Sequence, residues 1–358
     1  MKDRYAYVSA GILESFMRDI FIKLGVNEED SRICADVLIS SDKYGIESHG
    51  INRFKAKYYD QIIAGIRSTS TNLKIVKDRP NIAVVDAQGG MGHVAGKRSM
   101  AMAIEKAKKA DIGMTVVKNS GHFGFAGYYP LMAAGQNMIG IAGTNSTPLV
   151  APTFGAERMI GTNPIAISVP SDEEFPFLLD MATSVKATGK VAYLESCHKK
   201  IPVGWVIDEK GDAITNSKGI SKKINDRKAV LLPLGGLGEE TAGYKGYGLA
   251  TIVEILCSAL SGGAFLSMVE VHKDGKVLDG AIGHFFMAIN ISSFIELDTF
   301  KKITGDILRE LRSAKKTPEA ERIYTAGEKE YLAWKDREIN GIPINRSVQE
   351  EILIMKKE

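Results

Sequence analysis

The chain has 358 residues, 44% of them hydrophobic and 25% charged, with a formal net charge of +3. This composition can bury a large core, and the dispersed, nearly balanced charges argue against a nucleic-acid-binding surface. The three cysteines lack CxxC or metal-ligand spacing, so we expect no metal site. The sequence shows neither an N-terminal signal segment nor a membrane-length apolar run. We therefore expect a cytoplasmic protein without a membrane span or a nucleic-acid partner.

The predicted elements begin with helices and continue with strands. Apolar residues at helical spacing and Leu/Ile/Val-rich runs predict helices at 11–17, 28–39, 95–109, 248–260, 297–316 and 328–337. Ser9 and Asn27 are positioned to cap the first two helices, and the run 248–260 is expected to be buried. Short apolar runs predict strands at 82–86, 112–117, 139–142, 166–169 and 177–179.

Two histidines are set among glycines. His49 lies in a Ser-His-Gly sequence followed by Arg53, and His122 lies in Asn-Ser-Gly-His-Phe-Gly at 119–124. Glycine removes neighbouring side chains and lets a ligand approach the backbone, so each histidine is a candidate acid, base or carbonyl-polarising donor. Arg53 offers a two-pronged donor for a carboxylate. The alternative is that either histidine is only a structural residue.

A glycine-rich segment invites comparison with dinucleotide-binding loops. Gly90, Gly92 and Gly96 follow a predicted strand and open a predicted helix. The third glycine is one position late, and no acidic residue follows the strand at 112–117 to bind a ribose hydroxyl. We therefore favour a tight strand-to-helix connection over a Rossmann site.

Other segments offer groups that could hold a nicotinamide cofactor. The segments 161–164, with Thr162 and Asn163, and 180–184 carry small, hydroxyl and amide side chains next to apolar runs. Turn chemistry alone could explain either segment. Lys245 lies just ahead of the predicted helix at 248–260, where a cation, flexible backbone and a helix N-terminus together suit a phosphate.

Several collinear motifs resemble one family. They lie at 42–50, 119–127, 161–164, 179–184, 244–249 and 283–286. The chain resembles the malate/L-lactate dehydrogenase family, which also contains ureidoglycolate, sulfolactate and cyclic-imine (ketimine) reductases. The resemblance implies an α+β, non-Rossmann, L-sulfolactate dehydrogenase-like fold in which helices surround a largely antiparallel sheet.

The resemblance also implies NAD or NADP as the cofactor and assigns roles to residues. The positions that match cofactor-contacting residues are Ser146, Asp180, Met181, Ala182, Lys245, Gly327 and Glu328. His122 corresponds to the proton acceptor in alcohol oxidation, while Ser48, His49 and Arg53 bind or polarise the substrate. Members of the family in which the His49 and Asp180 positions act as the catalytic pair are also described, so the division of roles stays open. Tyr244 stands where many relatives have a histidine, which leaves that contact open.

We therefore predict an NAD(P)-dependent oxidoreductase that transfers a hydride between its cofactor and a small 2-hydroxy or 2-oxo acid. The expected substrate pair is (S)-malate/oxaloacetate. The alternatives are a lactate, sulfolactate or ureidoglycolate dehydrogenase, a cyclic-imine reductase on the same scaffold, or a nicotinamide-binding protein without catalysis. Residues 1–75 and 300–358 are expected to form a helical substrate and dimerisation domain, and residues 76–299 the NAD(P)-binding domain. The resemblance implies a homodimer with its active site partly at the interface. The apolar run 248–260, which continues to residue 266, supports such an interface, and the alternative is that it is an ordinary core segment.

Overall fold

The structure, a computed structural model, describes residues 5–273 and 276–357. At 271–273 and 276–279 it describes the backbone alone. The helices are α1 Ala10–Lys23, α2 Glu28–Lys43, α3 Ile51–Phe54, α4 Asp60–Ile63, α5 Gly92–Ala110, α6 Tyr128–Ala134, α7 Thr188–Ser196, α8 Ile220–Asn225, α9 Gly243–Ser258, α10 Leu297–Ser313, α11 Glu328–Asn340 and α12 Arg346–Lys357. The strands are β1 Ala6–Val8, β2 Lys74–Asp78, β3 Ile82–Asp86, β4 Ile112–Ser120, β5 Met138–Thr144, β6 Ile165–Val169, β7 Phe177–Met181, β8 Val206–Asp208, β9 Ala229–Leu231, β10 Glu270–Lys273, β11 Lys276–Asp279, β12 Ile282–Asn290 and β13 Ile342–Ile344.

A largely antiparallel sheet lies at the centre of the fold. Within the described residues it has seven strands in the order β2-β3-β4-β12-β5-β6-β7. Only β3 and β4 pair in parallel, and the other neighbours in this sheet are antiparallel. Helices α5 and α6 pack on one face of the sheet, and α9 packs on the other. The expected α+β, non-Rossmann architecture is confirmed.

The central strand β12 was not among the predicted strands. It lies between β4 and β5 and is buried along most of its length, with Phe285 and Phe286 on opposite faces. A strand that is covered on both faces carries a continuous apolar run instead of the alternation that marks a half-buried strand. The five strands that were predicted are all present, most of them longer by one to three residues.

The glycine-rich segment before α5 forms a tight connection, as expected. The helix begins at Gly92, three residues earlier than predicted. A Cβ on Gly92 would lie 2.1 Å from the carbonyl oxygen of Gly121. The glycine is therefore required because the start of α5 packs directly against the loop that follows β4.

The two ends of the chain pack together. Strand β1 pairs with β13, so that Val8 lies opposite Ile342. Residues of α1 and α2 share a hydrophobic cluster with Val348 and Met355 of α12. The side chain of Asn27 caps α2 by accepting a hydrogen bond from the Asp30 backbone, as predicted, whereas the Ser9 side chain makes no such bond to α1.

Helix α9 is less buried than its sequence predicted. Its inner face packs on the sheet through Val253 and Cys257, but Leu249, Ile252 and Ile255 are exposed. The expectation of a buried helix is wrong for the single chain, because its outer apolar face has no covering element among the described residues. None of the described helices combines the length and the apolar character that crossing a membrane requires.

Candidate active site

The two histidines set among glycines meet in space. His49 ends a short 3-10 turn, Glu47–His49, and His122 lies in the loop that follows β4. Their rings stack with centroids 5.8 Å apart and 15° between the ring planes. Both side chains are partly exposed. One chain therefore places two candidate acid–base groups side by side.

A buried carboxylate and a C-terminal arginine hold the turn that carries His49. Asp42, at the end of α2, is fully buried, and its Oδ2 accepts a hydrogen bond of 2.8 Å from the backbone N–H of Ile51. The guanidinium of Arg337, from α11, donates to the Asp42 carbonyl and to the Glu47 carboxylate. Helix α11 thus helps to position a histidine that lies almost three hundred residues earlier in the chain.

Arg53 lies in α3, which begins directly after the His49 turn. Its Nε donates to the Ser48 carbonyl at 3.0 Å, which fixes the plane of the guanidinium. The terminal nitrogens of Arg53 make no hydrogen bond within the described part of the chain, so both remain available to a carboxylate. The Ser48 hydroxyl contacts Nδ1 of His49 at 2.9 Å.

The glycines on either side of His122 make room for protein groups. A Cβ on Gly121 would lie 2.3 Å from Nη1 of Arg67, and one on Gly124 would lie 3.0 Å from the ring of His93. Packing by protein groups accounts for these two glycines, and their role as openings for a ligand stays a prediction. They are required because buried side chains pack directly against the backbone of the loop.

The surroundings of His122 include two residues that the sequence did not mark. Tyr58 contacts His122 directly, and His93 is linked to it through the Tyr58 hydroxyl. The Tyr58 hydroxyl lies 2.8 Å from Nδ1 of His122 and 3.0 Å from Nε2 of His93. The backbone N–H of Gly124 donates to the same Nδ1 at 3.2 Å. His93 belongs to the glycine-rich segment already noted, but no sequence signal marks Tyr58 as its partner.

Burial and nearby cations keep both imidazoles uncharged. The pKa of His49 falls to about 4, mainly because the surrounding protein shields most of the ring from water and next because the charge of Arg53 is close. The pKa of His122 falls well below its ordinary value, mainly through burial and next through the charge of Lys57. Near neutral pH each ring therefore has one protonated and one unprotonated nitrogen, the form that exchanges protons.

Asp180 lies near the end of β7 and faces the His122 loop. Its Oδ2 accepts a hydrogen bond of 2.9 Å from the backbone N–H of Gly127. Burial raises the pKa of its carboxyl to about 6, although the Gly127 bond opposes the shift. In the described residues Asp180 makes no hydrogen bond to either imidazole, so its visible contact is with the loop backbone.

Ser146, Thr162 and Asn163 form a second polar group. The Ser146 hydroxyl accepts a 3.1 Å hydrogen bond from the Thr162 backbone, and both side chains are partly exposed. Asn163 is fully buried: its Oδ1 accepts from the Ser146 backbone, and its Nδ2 donates to Glu254 at 2.7 Å. Ser146 and Thr162 can therefore reach a ligand, whereas Asn163 shapes the turn that presents them.

Lys245 is exposed on the first turn of α9, as expected for a cation that binds a phosphate at a helix N-terminus. A Cβ on Gly243 would lie 2.1 Å from the Gly236 carbonyl oxygen, and one on Gly246 would lie 2.2 Å from that of Leu234. These glycines let the first turn of α9 pack closely on the preceding loop.

Gly327 and Glu328 lie at the start of α11, beside β7. The backbone of Gly327 has a φ of +92°, and a Cβ there would lie 2.8 Å from the Leu178 backbone nitrogen. Glu328 is buried and pairs with Arg322. These residues dock α11 against β7, which ends at Asp180 and Met181 and is followed by Ala182. Met181 and Ala182 are partly exposed.

Comparison with known proteins identifies the fold and the family. The model of the malate/L-lactate dehydrogenase family matches residues 8–353. The chain belongs to this family. It is 45% identical over 350 residues to the malate dehydrogenase of Pyrococcus horikoshii, an alignment that covers 98% of this chain and 94% of that protein. The resemblance predicted from the motifs is confirmed, and the protein is a dehydrogenase.

Two solved structures of family members show how closely the architecture is shared. Malate dehydrogenase from Entamoeba histolytica is 41% identical, with a TM-score of 0.94 over 99% of this chain and 98% of that one. Sulfolactate dehydrogenase from Methanocaldococcus jannaschii is 34% identical, with a TM-score of 0.86 over 98% of this chain and 97% of that one. The expected sulfolactate dehydrogenase-like fold is confirmed.

The Asp42 carboxyl of this dehydrogenase should make stability depend on pH. Its Oδ1 has no hydrogen-bond partner among the described residues, and burial raises its pKa to about 7. Because the folded pKa lies above the unfolded value, the folded state binds the extra proton, and this group's contribution to stability falls as pH rises from about 4 to 7. We expect Asp42→Asn to increase the free energy of unfolding by about 2 kcal/mol at pH 8 and by much less at pH 5.

Urea denaturation at the two pH values measures this difference. Asp42→Ala is the matched control, because it also removes the acceptor for the Ile51 backbone N–H and should destabilise the protein at both pH values. An equal effect of Asp42→Asn at pH 5 and pH 8 would contradict the assignment of a raised pKa to this carboxyl.

Proposed function

We propose that the protein is an NAD(P)-dependent oxidoreductase that transfers a hydride between its cofactor and a small 2-hydroxy or 2-oxo acid, with (S)-malate/oxaloacetate as the expected pair. The observation that carries the proposal is the pair of stacked, uncharged imidazoles of His49 and His122 beside the guanidinium of Arg53. The Pyrococcus and Entamoeba relatives, both named malate dehydrogenases, support the choice of acid.

The roles of the residues follow from their chemistry. Arg53 binds the substrate carboxylate through its two terminal nitrogens, which the Ser48 contact leaves available. His122 gives a proton to the carbonyl oxygen during reduction and accepts the hydroxyl proton during oxidation. His49 stacks against His122 and polarises the carbonyl or hydroxyl oxygen of the substrate. Asp180 holds the His122 loop through Gly127.

The described residues include a donor set that fits a nicotinamide dinucleotide. Lys245 at the start of α9 suits a phosphate, and the Ser146 and Thr162 hydroxyls suit the ribose and amide groups. Met181 and Ala182 offer backbone and apolar contacts at the end of β7, while Gly327 and Glu328 shape the neighbouring wall. When bound, NAD or NADP accepts or supplies the hydride.

A substrate panel tests the proposed function. Reduction and oxidation are followed through the nicotinamide absorbance with malate, lactate, sulfolactate, ureidoglycolate and cyclic imines, each with NAD(H) and NADP(H). We expect turnover of malate with at least one cofactor. Turnover of cyclic imines alone would replace this proposal with an imine reductase, and binding of cofactor without any turnover would indicate a protein that has lost catalysis.

We further propose a cytoplasmic homodimer in which residues 1–75 and 300–358 form the substrate and dimerisation domain and 76–299 form the cofactor domain. The pairing of β1 with β13 supports the grouping of the two ends. Three half-exposed apolar side chains on one face of α10, Ile303, Ile307 and Leu311, support an interface. The free thiols of all three cysteines support a reducing compartment.

The structure changes one expectation about the dimer. Within one chain, His122 stacks on His49, and Arg53 lies close to His49. These residues therefore do not need a second subunit to meet. We therefore expect no recovery of activity when inactive His122→Ala and Arg53→Ala subunits are mixed and exchanged. Sedimentation is the check that dimers form and exchange in the mixture. Recovery of about a quarter of full activity would show instead that one site takes the two residues from different chains.

A further inference from the structure

The Tyr58 hydroxyl lies between a candidate catalytic histidine and a second, fully buried histidine. It is 2.8 Å from Nδ1 of His122 and 3.0 Å from Nε2 of His93, and Tyr58 and His93 are both inaccessible to solvent. We propose that Tyr58 is a positioning residue that fixes which nitrogen of His122 carries the proton, and that it exchanges a proton with the inner nitrogen during turnover. This inference rests on the proposed function, in which His122 is the acid–base group.

The local backbone explains how Tyr58 reaches this place. Residues Lys55–Tyr59 form a π-helical turn between α3 and α4. Such a turn inserts one extra residue into the helix, and each residue of an α-helix turns the side-chain direction by about 100°. The insertion therefore re-aims Tyr58 relative to Arg53, so that one continuous helical segment presents both the carboxylate-binding guanidinium and the hydroxyl that contacts His122.

The hydrogen bonds assign the proton on His122. The Gly124 backbone N–H donates to Nδ1, so Nδ1 is an acceptor. A neutral imidazole has one acceptor nitrogen and one N–H, and the N–H must therefore be on Nε2. Tyr58 then donates its hydroxyl proton to Nδ1 of His122, and its oxygen accepts the N–H of Nε2 of His93. The three groups form a directed chain that ends at His122.

This chain lets His122 transfer a proton without becoming an anion. During reduction, the proton on Nε2 moves to the carbonyl oxygen of the substrate as the carbonyl carbon gains the hydride. The Tyr58 hydroxyl proton moves to Nδ1, so the imidazole stays neutral and the phenolate remains hydrogen-bonded to His93. After the product leaves, Nε2 of His122, whose side chain is partly exposed, takes up a proton from solvent, and Nδ1 returns its proton to the Tyr58 oxygen. Oxidation reverses each transfer.

Two cations near Tyr58 stabilise the transient phenolate and so offset part of the cost of forming a charge on a fully buried side chain. The Arg67 guanidinium lies 5.3 Å from the centre of the Tyr58 ring, and Lys57 is the neighbouring residue on the same turn. The other titratable groups that influence this cluster are the imidazoles of His49, His93 and His122 and the hydroxyl of Tyr129. Arg67 and Lys57 are the charged groups in this set, and both are cations, which stabilise a negative oxygen.

Replacement of Tyr58 by phenylalanine separates this role from packing. The ring of Tyr58→Phe can keep its edge-to-face contact with Phe21, so the fold should persist, and a thermal melt checks this. We expect kcat for reduction to fall by about 100-fold, the KM for the acid to change by less than about threefold, and the Kd of the cofactor to stay the same. Tyr59→Phe removes a hydroxyl from the next residue and should retain wild-type kcat.

Nitrogen-15 NMR of the histidine rings in the cofactor-free protein gives a readout that does not depend on activity. The wild type should show His122 with its proton on Nε2. Tyr58→Phe should show a larger fraction of the Nδ1–H form, because it removes the shorter, 2.8 Å donor and leaves only the 3.2 Å contact from the Gly124 N–H to disfavour that form. A wild-type ring protonated on Nδ1, or unchanged kcat and tautomer in Tyr58→Phe, would overturn the inference. If the NMR result holds but no 2-hydroxy acid is oxidised, the proposed function fails while the tautomer assignment stands.

Discussion

His122→Asn is expected to lower kcat by about 1,000-fold in both directions while leaving the Kd of the cofactor unchanged. A positioned general acid–base group contributes about 10²–10⁴ in rate, and asparagine cannot exchange a proton near neutral pH. The asparagine side chain is smaller but still polar, so it can occupy the loop beside Tyr58 and Gly124 without leaving an apolar gap. Steady-state kinetics and a fluorescence titration of the cofactor measure the two effects.

The matched control is His198→Asn. His198 is exposed and lies outside the candidate site, and its backbone φ of +53° is one that asparagine adopts readily. This variant should retain full activity. A kcat for His122→Asn within tenfold of the wild type would remove His122 from the proton-transfer role and leave His49 as the candidate.

Arg53→Lys is expected to raise the KM for the acid by about 10- to 100-fold, with little change in the KM for the cofactor. Lysine keeps the charge but loses the planar pair of N–H donors, and a hydrogen bond to a charged group is worth about 1.5–3 kcal/mol. Lysine also lacks the Nε that donates to the Ser48 carbonyl, so the cation is no longer held in one orientation.

Arg32→Lys tests whether this effect is specific to the site. Arg32 is an exposed arginine of α2 that pairs with Glu28 on the helix surface. Its replacement should leave both KM values unchanged, because an exposed ion pair of this kind contributes little. An unchanged KM for the acid in Arg53→Lys would exclude Arg53 from carboxylate binding.

Local sequence patterns predicted much of the fold because much of it follows local rules. The Asn27 cap, the helices with apolar faces and the strands β3 to β7 all carry their own signals. The central strand β12 does not, because both of its faces are buried and its sequence lacks alternation. The sequence left two interpretations of α9, a core segment or an interface surface, since apolar content alone does not say what covers a helix.

The candidate site divides in the same way. Residues with distinctive chemistry, such as His49, Arg53 and His122, could be selected from their side chains and neighbours. Tyr58 and Asp42 could not, because their roles depend on contacts between segments that are distant in sequence, and tyrosine and aspartate are common. The packing of Arg67 and His93 against the glycines next to His122 was missed, since sequence alone does not show which group fills the space that a missing Cβ leaves.

Transfer of an isotope from substrate to cofactor tests the central claim most directly. The protein is incubated with (S)-malate that carries deuterium on C2, together with NAD or NADP, and the reduced cofactor is examined by mass spectrometry. The account predicts a reduced nicotinamide that carries one deuterium in the wild type, and almost none formed in the same time by His122→Asn. Reduced cofactor without deuterium, or no reduced cofactor under conditions where a cyclic imine is turned over, would contradict it.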